Sequence, residues 1–420
     1  MSLIVQKYGG SSVSDSEALK RVAARIVATK KAGHDVIVVV SAMGDTTDDL
    51  LDLAASVTDK PAAREMDILL TAGERISMSL LAMAVQSLGV EAHAFTGQQA
   101  GLRTDAAYGK ASIVGIVPER IAREVKNGSV AIIAGFQGVN EFNDVTTLGR
   151  GGSDTTAVAI AAAMQADCCE IYTDVDGLFT ADPRIVPSAS PITKLDFEET
   201  LELAGQGAKI LHLRAVEFAR KYDVPLHVRS SFSDKEGTWI MNMADDGMES
   251  PIISGIAHDR SQAKVSVLGI PDVPGKAAKV FRAVADAGVN IDMIVQNVAA
   301  SEPGLTDISF TMPAGEVETV FDKLDSLGEE LGYRELTTNS SIGKLSLVGA
   351  GMRSHPGVSA TLFGALADAG INIEMISTSE IRISVVVDID VLDRAVRVVH
   401  SAFDLDAADT QAVVYGGTGR

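Results

Sequence analysis

The chain has 420 residues and a formal net charge of -20, with 46% hydrophobic and 22% charged residues. At about 150 residues per domain, this length predicts two or three domains of a globular protein. The negative charge argues against nucleic acid and anionic membranes as partners, although local cations and backbone N–H groups can still hold a small anion.

The two cysteines, Cys168 and Cys169, are neighbours in the sequence. Adjacent cysteines rarely bridge each other, so we predict no disulfide framework and a reducing compartment. The N-terminal MSLIVQKYGG has no long apolar segment and is typical of a strand. Since no uncharged apolar run of about 18 residues occurs, we expect no membrane span and a cytoplasmic protein.

Up to about residue 230, short apolar strands alternate with amphipathic helices. The predicted strands cover residues 3–8, 36–42, 91–96, 131–136, 169–173 and 226–228. The predicted helices cover residues 16–31, 62–88, 117–126, 155–165 and 197–221. This alternation predicts an α/β fold with a mostly parallel sheet, helices on both faces, and ligands beyond the carboxyl ends of the strands.

An internal repeat follows a polar, turn-rich stretch at residues 231–262, which we interpret as a domain boundary. Residues 264–297 and 344–380 share a strand, a Pro-Gly turn, a helix ending in Ala-Asp-Ala-Gly, and then Asn-Ile, an acidic residue and Met. A repeated unit of this length predicts two related modules, each a small α+β sandwich. The predicted domains are 1–245, 263–338 and 343–420.

Residues 146–157, TTLGRGGSDTTA, connect a predicted strand to a predicted helix. Glycines let the backbone approach a ligand, and the free N–H groups of a helix N-terminus favour an anion. Arg150 can hold a carboxylate or phosphate with two hydrogen bonds. The alternative is that Ser153 or Asp154 only caps the helix. We favour an anion site for the loop as a whole.

Two other segments also follow predicted strands. KYGGSS leads from a strand to a helix, although Lys7 could instead be a charge on an edge strand. It matches neither the Gly-x-Gly-x-x-Gly fingerprint nor the P-loop, so a dinucleotide fold and an ordinary P-loop enzyme are disfavoured. Residues 172–184, YTDVDGLFTADPR, form a carboxylate-rich turn without EF-hand spacing, for which a solvated loop is the alternative.

These segments, together with SAMGDTTD, LLTAGERIS and GFQG, resemble the aspartate kinases of the amino-acid kinase superfamily. The two repeats resemble the ACT regulatory modules that follow the kinase domain in the monofunctional form, so the resemblance covers essentially the whole chain. One departure is Ser11, where the family often has threonine and the hydroxyl is kept. The resemblance implies transfer of the ATP γ-phosphoryl group to the β-carboxylate of L-aspartate, giving 4-phospho-L-aspartate for lysine, threonine and methionine synthesis.

The implied reaction joins two anions, and the acceptor carboxylate is already ionised at neutral pH. Catalysis therefore requires positioning and charge neutralisation rather than a general base. The resemblance implies that the catalytic residues are Lys7, Arg150 and Asp154. It implies an aspartate site made of Ser41, Thr47, Glu74, Arg150, Gly151, Gly152 and Ser153. It implies a nucleotide site made of Lys7, Tyr8, Gly9, Gly10, Thr173, Asp174, Phe179, Thr180, Ala181, Asp182, Pro183, Arg184 and Lys209.

Within these sets, Lys7 is expected on the transferred phosphoryl group, Arg150 on a substrate carboxylate and Glu74 on the substrate ammonium. The alternative for Glu74 is an exposed helical ion pair. Mg²⁺ is expected to bridge phosphate oxygens mostly through water, with Asp154 as a candidate partner. No metal site made by the protein alone is predicted, because four histidines show no metal-ligand spacing: His34, His93, His212 and His227.

An effector site is implied in the first repeat. It comprises Asp272, Val273, Pro274, Gly275, Lys276, Ala277, Ile291, Asp292, Met293, Gln296 and Asn297. Backbone N–H groups would bind the carboxylate of an effector, and Asp292 or Gln296 its ammonium. The expected effectors are lysine, threonine or both, acting through a coupling free energy between separate sites. The alternative is that both repeats are only dimerisation surfaces.

Two other functions remain open from the sequence. A kinase for another acid, such as glutamate or acetylglutamate, would have the same fold, and a catalytically inactive amino-acid sensor belongs to a different class. Glu74 favours a substrate with a free amino group, and intact Lys7 and Arg150 argue against the sensor. We expect a homodimer through the ACT modules, or an α2β2 assembly with a shorter ACT-only subunit started at Met243 or Met248.

Overall fold

The computed structural model describes residues 2–208, 210–243, 252–298, 304–350, 352, 355, 357–407 and 413–415. The strands of the first part are β1 (Leu3–Tyr8), β2 (Asp35–Val40), β3 (Ala92–Phe95), β4 (Leu102–Thr104), β5 (Ile113–Ile116), β6 (Val130–Ala134), β7 (Gln137–Val139), β8 (Val145–Thr147), β9 (Cys168–Thr173), β10 (Lys194–Leu195), β11 (Leu226–Ser230) and β12 (Thr238–Ile240). Its helices are α1 (Ser16–Lys31), α2 (Thr46–Val57), α3 (Ala63–Ser87), α4 (Glu119–Lys126), α5 (Gly152–Met164), α6 (Phe197–Gly205) and α7 (Leu213–Tyr222).

The first part is built on an eight-stranded sheet with the order β10-β12-β11-β9-β1-β2-β6-β3. Six neighbouring strands, from β11 to β3, run parallel, and β12 is antiparallel to β11. The strands are apolar throughout because helices cover both faces. Along β2, Val36, Val38 and Val40 pack beneath α1 and α3, whereas Ile37 and Val39 pack beneath α5 and α7. The α/β fold predicted from the sequence is confirmed.

Helix α3 is long and apolar enough, by length and composition alone, to cross a membrane. Half of that apolar window is buried inside the protein, where Leu81 and Val85 pack on α1 and the sheet. Its middle carries Glu74, which is also buried. These features are those of a core helix.

The first part differs from the predicted elements in several places. Residues 197–221 form two helices, α6 and α7, instead of one. Helix α2 was not predicted, and the hairpin β7–β8 lies between the predicted strand and helix that flank residues 146–151. Helix α5 begins at Gly152, three residues before the predicted start.

The strands of the second part are β13 (Ile252–Asp259), β14 (Gln262–Pro271), β15 (Ile294–Val298), β16 (Leu305–Pro313), β17 (Glu335–Asn339), β18 (Ile342–Ala350), β19 (Met375–Thr378) and β20 (Arg382–Asp388). Its helices are α8 (Lys276–Asp286), α9 (Val317–Asp325), α10 (Gly328–Leu331), α11 (Gly357–Asp368) and α12 (Leu392–Ala402). They form two antiparallel sheets with helices, one for each sequence repeat, with the orders β15-β16-β14-β17 and β13-β18-β20-β19. The predicted α+β sandwiches are confirmed.

The turn-rich stretch interpreted as a boundary contains β13, which pairs with β18 of the second repeat over residues 252–259. The stretch interpreted as a domain boundary therefore also contains strands of both parts, β12 of the first and β13 of the second. Strand β13 also contacts the first part, because the Ile256 N–H donates to the carbonyl of Thr180 at 2.7 Å. This strand joins the second repeat directly to the segment that follows β9.

Candidate active site

A cavity of about 650 Å³ opens where β1, β2 and the start of α5 meet, at the carboxyl edge of the large sheet. This is the edge at which ligands bind in parallel sheets. The cavity brings Lys7 together with the seven residues predicted for the aspartate site: Ser41, Thr47, Glu74, Arg150, Gly151, Gly152 and Ser153. Gly10 and Asp154 also line it.

The amino end of α5 points into this cavity with an acidic residue in its first turn. Lys7 lies at the end of β1, and its Nζ is 2.6 Å from Oδ1 of Asp154. Both side chains are mostly buried. The ion pair holds the ammonium group at a helix N-terminus, where free N–H groups already favour anions. A phosphoryl group brought here would meet one cation and several N–H donors.

Gly151 sets the geometry of this helix start. It is the N-cap with φ of +69°, and a Cβ at this position would lie 2.1 Å from Cγ of His212. Only glycine satisfies both the left-handed backbone and the close approach. Neither Ser153 nor Asp154 makes a side-chain cap, so the simple capping interpretation was wrong. The His212 ring therefore packs directly against this loop.

Arg150 lies at the exposed mouth of the same cavity. Among the residues that the structure describes, its guanidinium has no hydrogen bond or ion pair with another side chain. A planar cation in this position is suited to bind a carboxylate with two parallel hydrogen bonds.

Glu74 is buried at the back of the cavity, with 3% of its surface exposed. Oε1 accepts a hydrogen bond from the Ala42 N–H at 3.1 Å, and Oε2 is buried without a partner. Burial raises the pKa of this carboxyl to about 7, against the hydrogen bond from Ala42, which lowers it. An exposed ion pair is excluded. An unpaired oxygen facing a polar cavity is suited to a ligand cation.

The neighbouring Gly73 allows close packing of α3 and does not itself line the cavity. A Cβ at residue 73 would lie 2.7 Å from the Cβ of Ala42. The glycine therefore lets α3 press against the loop after β2, and this contact carries Glu74 to the cavity wall.

Asp67 is a site residue that sequence reasoning missed. It is fully buried, lies about two turns before Glu74 on α3, and lines the cavity. Its carboxylate accepts from the N–H groups of Gly109 and Thr147 and from the Thr147 hydroxyl. These bonds tie α3 to β8, immediately before the glycine loop. No sequence motif marked it, because an acidic residue on a helix is usually solvated.

The predicted nucleotide segment lies at the end of β9, next to β1. A second, narrow cavity of about 100 Å³ is lined there by seven of the predicted residues: Thr173, Asp174, Phe179, Ala181, Asp182, Pro183 and Arg184. Arg184 leans toward Asp174, with Nη2 and Oδ2 3.9 Å apart. The glycine turn after β1 approaches the same place, since the Gly9 N–H donates to the Tyr172 carbonyl at 3.4 Å.

Two residues predicted for the nucleotide are placed otherwise. The Tyr8 ring is fully buried and stacks on Tyr172 at 4.7 Å, so only its backbone lies near the cleft. The Thr180 hydroxyl points to the second repeat, 2.8 Å from Nε2 of the buried His400. Lys209 lies outside the described residues.

Comparison with known proteins identifies the family. Residues 2–230 match the amino acid kinase family, and residues 265–326 and 345–403 match the ACT domain. The aspartokinase of Mycolicibacterium smegmatis is 60% identical over 422 aligned residues, covering 100% of both chains. The chain belongs to the aspartokinase family. It is therefore a kinase with ACT domains.

Solved aspartokinases share its fold. E. coli aspartokinase III in complex with aspartate and ADP, in the R-state, matches with a TM-score of 0.81 at 25% identity, over 96% of this chain and 100% of that chain. The same aspartokinase in complex with lysine and aspartate, in the T-state, matches with a TM-score of 0.71 at 25% identity, over 95% and 99% of the two chains.

In the first ACT domain, the predicted turn precedes α8. Gly275 is the N-cap with φ of +96°, and the Val273 side chain is exposed. Lys276 is not free, because its ammonium donates to the carbonyls of Glu330 and Leu331. Ala277 packs against the domain core.

The opposite side of this predicted effector site faces the second ACT domain. The Asp292 carboxylate forms an ion pair with the buried Lys344 and lies 3.9 Å from Arg382. Met293 is buried in a small cluster with Ile342 and Met375 of the second domain. The Asp292 side chain therefore links the two ACT domains.

The remaining predicted effector residues lie partly in the turn before α8 and partly on the strand that follows it. Gln296 and Asn297 lie on β15 and pair with Ile308 and Asp307 of β16. Pro274 and Asp272 belong to the turn before α8, and Ile291 packs partly on the domain core. A cavity of about 510 Å³ lies in the second ACT domain, lined by Met352, His355, Ser359, Thr378, Ser379, Glu380 and Ile383.

Proposed function

We propose that this kinase transfers the γ-phosphoryl group of ATP to the β-carboxylate of L-aspartate, giving 4-phospho-L-aspartate. The observation that carries the proposal is the unpartnered buried oxygen of Glu74, in a cavity that also holds Lys7 and Arg150. In aspartate, the ammonium group matches the Glu74 carboxylate, and the two carboxylates match the cations of Arg150 and Lys7. E. coli aspartokinase III, a structural relative, has been solved with aspartate and ADP.

In the proposed complex, Glu74 binds the ammonium of aspartate and Arg150 binds a carboxylate. The other carboxylate then points toward Lys7, Gly10 and the start of α5. Because this acceptor is already an anion, no residue must remove a proton from it. The groups that lower the barrier are those that neutralise charge as the γ-phosphoryl group moves.

Lys7 has two partners in this scheme. In the free enzyme its ammonium contacts Asp154, and with nucleotide present it contacts the transferred phosphoryl group. Gly9 and Gly10 add backbone N–H donors. The nucleotide is proposed to lie along the cleft from this turn to the segment after β9, on the residues that line the narrow cavity.

Mg²⁺ is proposed as the metal that accompanies ATP. No group of three His, Cys, Asp or Glu that could hold a metal occurs among the described residues, so the ion would be held chiefly by phosphate oxygens and water. The Asp154 carboxylate, beside Lys7, fits as one oxygen partner. Mg²⁺ bound there would neutralise phosphate charge.

The test is ADP release from Mg-ATP with different acceptors. L-Aspartate should support release, whereas L-glutamate and N-acetyl-L-glutamate should support little. Succinate, which lacks the amino group, should also fail because it leaves Glu74 unpaired. Comparable rates with an N-acetylated acid would contradict the role of Glu74, and ATP binding without any turnover would favour the sensor function.

We also propose feedback inhibition by lysine, threonine or both at the ACT domains. The support is the ACT match itself and the solved lysine complex of E. coli aspartokinase III. Aspartate-dependent ADP release is measured with each amino acid alone and with the pair. Release unaffected by every combination would leave the ACT domains as assembly surfaces.

For the whole protein we propose a cytoplasmic enzyme that assembles as a homodimer or as α2β2 with an ACT-only subunit. We propose a catalytic domain at residues 1–245 and ACT domains at residues 263–338 and 343–420. Strand β13 completes the sheet of the second ACT domain. Sedimentation of the purified protein distinguishes the assemblies. Intact-mass analysis of the expressed gene product shows whether a shorter chain begins at Met243; Met248 lies outside the described residues.

A further inference from the structure

The end of the described chain returns to the predicted nucleotide segment. Val414 forms an antiparallel bridge with Val175, and the Tyr415 N–H donates to the Asp174 carbonyl at 2.9 Å. The Tyr415 ring stacks on Phe232, with centroids 6.0 Å apart and planes 13° apart. Residues that follow α12, the last helix of the second ACT domain, therefore lie on the kinase part.

Val414 also forms one wall of the narrow cavity. The other apolar walls include Leu178, Leu203 and Ile256, all buried in the protein core. The volume of about 100 Å³ is well below the roughly 300–1,000 Å³ of ordinary ligand pockets. Such a slot has room for a flat heteroaromatic ring but not for a whole nucleoside triphosphate.

We propose that Val414 and Tyr415 are positioning residues of the nucleotide site and form the outer wall of the slot that takes the base. This inference rests on the proposed nucleotide site. Val414 supplies apolar contact, and Tyr415 holds the backbone of Asp174 in place. The phosphates would then extend along the cleft toward Gly9 and Lys7.

The ring of Tyr415, more than its hydroxyl, carries this role. The hydroxyl is 3.4 Å from Oδ2 of Asp176, but that carboxylate is already bound by Lys235 at 2.8 Å and by Ser233 at 2.6 Å. The ring, by contrast, has Phe232 as its stacking partner. Replacing Tyr415 by Phe keeps the stack, whereas replacing it by Ala removes it.

The experiment compares Tyr415→Ala, Tyr415→Phe and a control, Val413→Ala, in the full-length chain. Val413 precedes the wall and is 42% exposed. The readouts are KM for ATP, KM for aspartate, kcat, and the Kd of Mg-ADP from direct titration. A general folding defect would alter all four quantities, whereas a positioning role alters only the KM for ATP and the Kd of Mg-ADP.

Tyr415→Ala should raise KM for ATP and Kd for Mg-ADP by about three- to tenfold, the size of a lost aromatic pair. KM for aspartate should stay within about twofold, as should every constant of Tyr415→Phe and Val413→Ala. Unchanged or tighter Mg-ADP binding by Tyr415→Ala, with an active wild type, would overturn this inference alone. A wild type that binds no Mg-ADP would overturn the proposed function together with it.

Discussion

The ammonium of Lys7 and the carboxylate of Asp154 meet at 2.6 Å, where the first strand of the sheet faces the first turn of α5. The pair connects two motifs that are far apart in the sequence, KYGGSS and TTLGRGGSDTTA. It places a cation between the cavity proposed for aspartate and the segment proposed for the nucleotide. The charge that must be neutralised in phosphoryl transfer develops between these two places.

Lys7→Ala should lower kcat by at least about 10²-fold, the usual cost of removing one donor to a developing charge. The fold should persist, because the Asp154 carboxylate stays in the first turn of α5, where the positive end of the helix dipole favours a negative charge. Circular dichroism and ADP release on the same samples check this. Lys20→Ala is the control, since Lys20 forms only an exposed ion pair with Glu17. Near-normal turnover of Lys7→Ala would remove Lys7 from the mechanism.

The raised pKa of Glu74 predicts a pH dependence of aspartate binding. Only the ionised carboxylate attracts an ammonium, and its pKa in the free enzyme is about 7. KM for aspartate should therefore rise by about tenfold from pH 8 to pH 6 as the ionised fraction falls. Glu74→Gln should show a high KM with no such dependence. A flat profile in the wild type would contradict the role of Glu74.

The same group predicts an opposite trend for the stability of the free enzyme. Because the folded-state pKa lies above the usual 4.5, the folded protein binds more protons than the unfolded chain between about pH 4.5 and 7. The contribution of Glu74 to the free energy of unfolding thus falls as pH rises through this window. Without aspartate, Glu74→Gln should gain stability relative to wild type at pH 8, on the order of 3 kcal/mol, and little at pH 4.5. Equal Tm differences at both pH values would contradict this.

Gly151→Ala should abolish activity and lower Tm. The substitution strains a backbone with φ of +69° and drives a methyl group into the His212 ring. Gly89→Ala is a matched control, because Gly89 has φ of +81° with no atom within 4 Å of an added Cβ. Comparable losses in both variants would show that backbone strain alone, and not contact with His212, explains the effect.

Asp292→Ala should relieve feedback inhibition, but it should also destabilise the ACT pair. The substitution leaves the ammonium of Lys344, which is 1% exposed, without its closest carboxylate. The double variant Asp292→Ala with Lys344→Met should recover part of the lost Tm. We expect this double variant to be active and insensitive to lysine plus threonine. Normal inhibition in a folded double variant would assign Asp292 to the ion pair alone.

The parts of the fold that the sequence predicted are those marked by local patterns. Strand β1 and helix α1 begin and end at the predicted residues, since an apolar run and an Asp15 cap define them. Helix α2 was not predicted, and none of its residues is buried, so it contributes little to the core. The break between α6 and α7 depends on a contact with a strand that is distant in the sequence. Gly207 has φ of +109°, and an added Cβ would lie 2.2 Å from the His258 carbonyl of β13.

The predicted site follows the same division. Lys7, Glu74 and Arg150 were found through motifs, and the structure brings them to one cavity. Sequence analysis did not find Asp67 or the wall formed by Val414, because the residues that they contact are remote in sequence and no local pattern marks them. Asp292 was predicted to face a ligand, but the pairing of the two repeats gives it Lys344 as a partner. Contacts between repeats are not encoded in the repeat itself.

The most direct test of the central claim is to trap the product. An acyl phosphate reacts with hydroxylamine to give a hydroxamate, so Mg-ATP, L-aspartate and hydroxylamine are incubated with the enzyme while ADP is measured. One aspartyl hydroxamate should form for each ADP, only with aspartate present, and not with Lys7→Ala. Release of ADP without hydroxamate, or ADP release independent of aspartate, would contradict phosphoryl transfer to the aspartate carboxylate.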